Sequence, residues 1–306
     1  MNRDLMEVKG SILDLIGSTP LIELRRFSRN GARILLKLEY LNPTGSHKDR
    51  AALYMIEDAE RRYDLKPGSL VVEASSGNMA ISVALIAKLK GYRAAIVVPE
   101  GTSSEKISLI KLLGAKLVEG SDDPDSPRYY KKVAEELAER ENGVFLNQFE
   151  NKMNIIAHYE TTGAEIWKQT GGEIDAFVMG IGTGGTIMGA GKYLKERKKE
   201  LYLVGVVPRG SPLAGGVFGD RIEGLLYSDL PSLLDQDLID ELIEVSLEDS
   251  VKMSERLARE EGVLAGPSTG ANLLAALRIA EKVPSLRTIV TIAADSMLKY
   301  SSIFEL

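Results

Sequence analysis

One lysine and two donor-rich turns in this sequence are placed so that they could share a ligand. Lys48 lies within residues 42–50, a turn that precedes a predicted helix. The glycine-rich residues 180–186 and the turn at residues 75–78 each stand between a predicted strand and a predicted helix. Backbone N–H groups at such a helix start bind phosphate or carboxylate. A reactive lysine beside a phosphate cradle predicts pyridoxal phosphate (PLP) held as a Schiff base.

The glycine-rich loop at residues 180–186 contains the Gly-x-Gly-x-x-Gly pattern of dinucleotide sites. A nicotinamide-binding fold also requires a carboxylate at the end of the next strand, and residues 207–209 offer none. Two hydroxyl donors, Thr183 and Thr186, favour a dianionic monophosphate instead. A tight turn that only lets a helix pack on a strand is the alternative that this pattern leaves open.

Lys48 must be partly neutral to form an imine, which requires burial or neighbouring cations. His47 and Arg50 are close in sequence and are predicted to lower its pKa. The alternative is a solvated lysine in the first turn of a helix that Ser46 caps and Asp49 stabilises through the helix dipole.

Two further turns complete the predicted site. Residues 75–78 suit an amino-acid carboxylate, and the Asn78 amide could donate to a phenolic ring oxygen. Ser268, in the turn at residues 266–270, would leave a facing ring nitrogen neutral, which favours loss of a β substituent over transamination. Each of these turns could instead be an N-cap. We place all four turns at the carboxyl ends of strands, where ligands bind in open α/β sheets.

The composition excludes several classes of site. The 306-residue chain has 44% apolar residues and a formal charge of −6, which predicts a folded protein that does not bind nucleic acid. It contains no cysteine and two histidines, so disulfides, thiolate metal sites and multi-histidine zinc sites are excluded and no metal is expected. The charged N-terminus and the absence of long apolar runs predict a cytoplasmic protein that does not contact membranes.

Short β-branched runs alternate with amphipathic helical patterns, which predicts an α/β fold with mostly parallel strands. Strands are predicted to begin near residues 34, 70, 94, 116, 174, 201 and 288, with helices between them. Residues 208–236 are predicted to be irregular because Gly, Pro and Ser recur throughout them.

Together these motifs resemble the fold type II (β-family) PLP enzymes and, within them, the cysteine synthases. The resemblance covers nearly the whole chain, at residues 16–21, 42–50, 76–78, 147–151, 158–165, 182–186, 260–262, 266–271 and 295–296. It implies a tryptophan synthase β-like architecture of two open, twisted, mostly parallel sheets with flanking helices. Residues 1–39 and 151–306 would form the larger domain, residues 40–150 a smaller mobile domain, and the cofactor would lie in the cleft of a homodimer subunit.

The resemblance also implies a role for each matched residue. Lys48 would be the internal aldimine lysine and the base for the substrate α-proton, Asn78 would contact the ring hydroxyl, and Ser268 would face the ring nitrogen. The phosphate would be held by Gly182, Thr183, Gly184, Gly185 and Thr186. The substrate carboxylate would be bound by Ser75, Ser76, Gly77 and Gln148.

The implied reaction makes L-cysteine from O-acetyl-L-serine or O-phospho-L-serine and sulfide, through an aminoacrylate. Serine acetyltransferase is left open as a partner. A cystathionine β-synthase that joins serine to homocysteine, a serine or threonine dehydratase, and a non-catalytic PLP-binding paralogue are the alternatives.

Three departures from the family pattern leave the substrate open. Met79 replaces a common threonine, residues 222–228 replace a glycine-rich substrate loop, and Met297 stands where glycine is usual. Arg209 and Arg221 flank the irregular substrate-side segment, and Arg221 or Arg209 is predicted to bind the phosphate of O-phosphoserine. The alternative is that both arginines form surface ion pairs.

Overall fold

The computed structural model describes residues 8–28, 31–225 and 230–304. Part of the altered substrate segment, residues 226–228, therefore lies outside the described residues.

Ten strands and ten helices are described in these ranges. The strands are β1 Leu21–Glu23, β2 Arg33–Leu38, β3 Leu70–Ala74, β4 Arg93–Pro99, β5 Lys116–Gly120, β6 Val144–Phe145, β7 Ala176–Gly180, β8 Tyr202–Pro208, β9 Glu241–Val245 and β10 Thr288–Ala293. The helices are α1 Lys48–Tyr63, α2 Asn78–Leu89, α3 Ser104–Leu112, α4 Tyr130–Arg140, α5 Met153–Ala157, α6 Ala164–Thr170, α7 Gly185–Arg197, α8 Leu247–Glu261, α9 Pro267–Lys282 and α10 Ser301–Phe304.

The strands form two sheets. The large sheet has the order β1-β2-β10-β7-β8-β9 and the small sheet the order β5-β4-β3-β6. Every pair is parallel except β1 with β2. The predicted α/β class with two mostly parallel sheets is confirmed. All strands of the small sheet fall within residues 40–150 and all strands of the large sheet fall outside them, while the predicted domain boundaries themselves stay a prediction.

The central strands are buried on both faces because helices cover each sheet on two sides. In β10, Ile289 packs in one hydrophobic cluster and Val290 in another, as the two-residue repeat of a strand requires. In β4, Ile96 and Val97 alternate in the same way between the two clusters of the small sheet. Such continuous apolar runs explain why the sequence pattern predicted these strands correctly.

Three parts of the fold differ from the prediction. Strands β1, β6 and β9 were not predicted, since the first two are only three and two residues long and β9 follows the irregular segment. The helical region expected before β7 contains a π-helical turn, His158–Gly163, between α5 and α6. The turn at residues 266–270 follows helix α8 and not a strand, so its predicted placement at a strand end is wrong.

Among the described residues, none of the helices combines the length and hydrophobicity that crossing a membrane requires.

Candidate active site

A cleft of about 850 Å³ lies where the strand ends of the two sheets face one another. It is lined by residues from the lysine turn, the turn at residues 75–78, the glycine-rich loop and the turn at residues 266–270. The predicted site residues in its lining are Lys48, Ser75, Ser76, Gly77, Asn78, Gln148, Gly182, Thr183, Gly184, Gly185, Thr186, Arg221 and Ser268. Of the predicted site residues, Arg209 alone is absent from the cleft lining.

Lys48 is the first residue of α1, and its position depends on both sheets. The backbone N–H of His47 donates to the carbonyl of Ala294, directly after β10, at 3.0 Å. None of the described residues makes a hydrogen bond or ion pair with Lys48 Nζ. Burial lowers the pKa of Lys48 to about 8, although the negative charges of Glu73 and Asp295 oppose that shift. Lys48 is therefore available as a partly neutral amine near neutral pH.

The predicted cause of this low pKa is wrong. His47 is neutral, because burial lowers its pKa to about 3, and its Nδ1 lies 3.1 Å from the carbonyl oxygen of Ala294. The Arg50 guanidinium is turned away from the cleft and donates to Glu39 and Glu165. Desolvation of Lys48, which sequence proximity does not reveal, produces the shift.

The alternative prediction, in which Ser46 caps the helix and Asp49 stabilises it through the helix dipole, is also only partly right. The helix N-cap is His47, although the Ser46 hydroxyl accepts a hydrogen bond from the N–H of Lys48 at 3.2 Å. Asp49 accepts from the Thr44 N–H and hydroxyl and from the Ser82 hydroxyl. These contacts fix the start of α1 against α2 and so hold Lys48 at the cleft.

The glycine-rich loop has the shape of an anion cradle. Gly184 has φ +88°, a backbone conformation that favours glycine, and α7 begins directly after it. A Cβ atom on Gly182 would lie 2.6 Å from the carbonyl oxygen of Gly224, and one on Gly185 would lie 2.1 Å from Asn154 Oδ1. The first N–H groups of α7 have no partner within the helix. The loop therefore fits the phosphate of PLP.

The turn at residues 75–78, which follows β3, is held in place by hydrogen bonds between side chains and its own backbone. The Ser75 hydroxyl accepts from the N–H of Gly77 at 3.1 Å, and Gln148 Nε2 donates to the carbonyl of Ala74 at 3.3 Å. The Ser76 side chain is exposed toward the cleft. The N-cap of α2 is Gly77, and no side chain makes a capping hydrogen bond to this helix. The alternative that Ser75 or Ser76 serves only as a helix cap is therefore not supported.

Asn78 is held from the opposite side of the cleft. Its Oδ1 accepts from Lys299 Nζ and its Nδ2 donates to Asp295 Oδ2, both at 2.6 Å. Ser268, which is 4% exposed, lies in the first turn of α9, whose N-cap is Gly266.

The two predicted phosphate-binding arginines differ in position. Arg221 lines the cleft, donates to Asp122 at 2.8 Å and has a side chain that is 66% exposed. Arg209 forms an ion pair with Asp220 at 3.3 Å. The structure therefore does not bring Arg209 into the cleft with the other predicted residues. Met79 is buried in a hydrophobic cluster of the small sheet and also lines the cleft.

Several cleft residues were missed by sequence reasoning. Lys106, Glu223, Tyr300, Tyr129 and Tyr130 line the cleft, although none was predicted as a site residue. Glu223 lies in the altered segment at residues 222–228, whereas no local pattern marks the other four, which reach the cleft through the packing of elements that are distant in sequence. Within the described ranges, no group of three or more His, Cys, Asp or Glu side chains could hold a metal ion.

With a reactive lysine, a phosphate cradle and a carboxylate turn in one cleft, the site is that of a PLP enzyme. The chain belongs to the family of pyridoxal-phosphate dependent enzymes, which matches it over residues 12–295.

Similar proteins narrow the class further. The chain is 41% identical to a probable cysteine synthase of Bacillus subtilis, over 97% of this chain and 98% of that protein. It is 40% identical to a cystathionine beta-synthase of Apis mellifera, over 99% of this chain but only 62% of that enzyme. The crystal structure of an O-ureido-L-serine synthase matches with a TM-score of 0.93 at 36% identity, over 98% of this chain and 96% of that one. The predicted cofactor and the predicted resemblance to cysteine synthases are confirmed.

Proposed function

We propose that this protein is a cysteine synthase that replaces the β substituent of an activated L-serine by sulfide, a transferase reaction of the EC 2.5.1 type. With O-acetyl-L-serine the Cβ–O bond breaks, a C–S bond forms, and acetate and L-cysteine are released. The observation that carries the proposal is that Lys48, the glycine-rich loop, the turn at residues 75–78 and Ser268 all line one cleft.

When bound, PLP supplies an electron sink that acidifies the substrate α-proton and promotes loss of the β substituent. We expect residues 182–186 to hold its phosphate, Asn78 to contact its ring hydroxyl and Ser268 to face its ring nitrogen. A serine hydroxyl, unlike a carboxylate, leaves that nitrogen neutral, which suits elimination and replacement at the β-carbon.

The remaining chemistry falls to residues of the chain. Lys48 Nζ accepts the α-proton, a role that suits an amine with a pKa of about 8. Ser75, Ser76 and Gly77, at the start of α2, and Gln148 hold the substrate carboxylate, so the α C–H bond is oriented toward Lys48.

The proposal is tested by incubating purified protein with O-acetyl-L-serine and sulfide and measuring L-cysteine. Lys48→Ala should reduce turnover by at least about a hundredfold, since it removes a general base. Lys88→Ala, on the exposed face of α2, is the matched control and should retain wild-type turnover. Equal activity in both variants would overturn the assignment of Lys48.

Condensation of serine with homocysteine is the second candidate, because the Apis mellifera relative that covers 99% of this chain is a cystathionine beta-synthase. Formation of cystathionine from L-serine and L-homocysteine, with no cysteine from either serine ester, would favour it. A homodimer, a cytoplasmic location and an association with serine acetyltransferase remain predictions. Light scattering on the purified protein tests the first of these.

A further inference from the structure

An ion pair crosses the cleft between the two sheets. Lys106 extends from α3 beside the small sheet, and Glu223 comes from the segment that follows β8 of the large sheet. The Lys106 side chain is only 5% exposed, and its ammonium also lies 5.2 Å from the centre of the Tyr300 ring. A buried cation in a substrate cleft would attract an anionic substrate, but the Glu223 carboxylate already neutralises this one.

Two other basic residues at the cleft have partners as well. Arg221 donates to Asp122 at 2.8 Å, and Lys131 lies 3.9 Å from the centre of the Phe149 ring. Among the described residues, six acidic side chains line the cleft against four basic ones. The acidic ones are Glu100, Asp122, Asp123, Asp125, Glu223 and Asp295, and the basic ones are Lys48, Lys106, Lys131 and Arg221. The cleft therefore presents an excess of negative charge.

We propose, on the basis of the function proposed above, that this cleft selects an activated serine whose β substituent is uncharged, such as an acetyl ester. Glu223 is then a specificity-determining residue, which rejects a phosphate ester by neutralising Lys106. This replaces the sequence-based hypothesis that Arg221 or Arg209 binds the phosphate of O-phosphoserine.

The physical reason is electrostatic. A phosphate monoester carries a charge of about −1.5 to −2 near neutral pH. In this cleft that charge meets carboxylates, whereas Lys106 and Arg221 are already paired with carboxylates and Lys48 is reserved for the cofactor. An acetyl ester carries no charge on its β substituent, so the cleft carboxylates do not repel it. Specificity that rests on repulsion of the wrong substrate is common in binding sites.

The test compares kcat/KM for O-phospho-L-serine with kcat/KM for O-acetyl-L-serine at saturating sulfide. Wild-type enzyme should favour the acetyl ester. Glu223→Gln frees the positive charge of Lys106 and should raise the phosphate-to-acetyl ratio by about tenfold, the effect of roughly one close charge at intermediate dielectric. Lys106→Gln leaves Glu223 unopposed and should lower the ratio. Glu173→Gln, on an exposed turn outside the cleft, is the control and should leave it unchanged.

The two substitutions break the same ion pair, so a purely structural role would move the ratio in the same direction in both variants. That outcome, or a wild-type preference for O-phosphoserine, would overturn the proposal. Because the ratio is measured within one preparation, it does not depend on the fraction of active protein.

A second measurement needs no variant. Added salt screens repulsion between charges, so kcat/KM of the wild-type enzyme for O-phosphoserine should rise with ionic strength, while the value for O-acetylserine stays nearly constant. A fall for O-phosphoserine would indicate attraction and contradict the proposal. If neither ester gives cysteine in any condition, the proposed function fails instead, which keeps the two failures distinct.

Discussion

The Nε2 atom of His158 lies 3.2 Å from the hydroxyl oxygen of Thr186, while its Nδ1 lies 2.9 Å from the hydroxyl oxygen of Thr162. His158 is fully buried, and burial holds its pKa well below the ordinary value, so the ring is neutral and carries one N–H. A hydroxyl has a single proton to donate. If Thr186 donates that proton to a phosphate, its hydroxyl oxygen must accept the hydrogen bond from His158, and the proton of the imidazole is then on Nε2. His158 Nδ1 then accepts from Thr162.

This arrangement predicts that His158 tightens cofactor binding by orienting the Thr186 hydroxyl. His158→Asn places polar atoms near the former Nδ1 but does not reach Thr186, and it should raise the PLP dissociation constant about tenfold, as expected for one buried hydrogen bond. His158→Gln can present a donor near the former Nε2 and should bind PLP much more tightly than His158→Asn. Equilibrium ultrafiltration measures both constants, and equal affinities would contradict the orienting role.

Gly182 is predicted to be intolerant of any side chain. A Cβ atom there would approach the Gly224 carbonyl oxygen to 2.6 Å, so either the glycine-rich loop or the segment containing Glu223 must shift. Gly182→Ala should therefore abolish stable retention of PLP, which the visible absorbance of the purified protein reports. Gly10→Ala, whose Cβ would meet the nearest atom at an ordinary 3.7 Å, is the control. Wild-type absorbance in Gly182→Ala would show that the loop can shift enough to accommodate a Cβ atom and still bind PLP.

The parts of the site that lie within one short stretch of chain could be predicted from the sequence. The glycine-rich loop, the turn at residues 75–78 and the lysine turn each combine a strand end or helix start with characteristic residues. Their positions in the cleft agree with the predictions because parallel strands bring their carboxyl ends to one edge.

Contacts between distant segments could not be predicted in this way. The Lys106–Glu223 pair joins residues 117 positions apart, and Asn78 is fixed by Lys299, which is 221 positions away. Burial of Lys48 is likewise a property of the assembled cleft. Arg209 was assigned to the site because it flanks the irregular substrate-side segment, yet its side chain pairs with Asp220 outside the cleft lining.

Cofactor attachment should follow the titration of Lys48. The neutral amine is the nucleophile, and burial lowers the pKa of Lys48 to about 8, so the rate of PLP loading onto cofactor-free protein should rise up to about pH 8 and then level off. An exposed lysine would instead keep gaining reactivity up to about pH 10. The growth of the visible absorbance band after mixing measures this rate.

Glu73 provides a check on that titration. It lies at the end of β3 with both carboxylate oxygens buried, and burial raises its pKa to about 8. Its negative charge raises the pKa of Lys48, so Glu73→Gln should move the midpoint of the loading rate to lower pH. An unchanged midpoint would show that Glu73 remains protonated at the pH where Lys48 titrates.

Arg50 is predicted to be essential for stability. Its guanidinium is buried, lies 2.7 Å from Glu39 and 2.6 Å from Glu165, and so links the start of α1 to the turn directly after β2 and to α6. Arg50→Leu leaves the buried Glu39 carboxylate without its cation and should lower the free energy of unfolding by about 3–5 kcal/mol. Arg33→Leu breaks an exposed pair with Glu23 and should cost about 1 kcal/mol or less. Denaturant unfolding monitored by circular dichroism compares the two.

The cost of Arg50→Leu should also depend on pH. Burial alone would raise the pKa of Glu39, but the charge and hydrogen bonds of Arg50 outweigh that effect and hold it well below the ordinary value. Stability from a carboxylate with a depressed pKa is present above its unfolded pKa of about 4.3 and is lost as the pH falls further. The difference between wild type and Arg50→Leu should therefore be largest near pH 7 and shrink below about pH 4. A difference that stayed constant down to pH 3 would mean that the lost packing of the arginine side chain, and not its charge, is responsible.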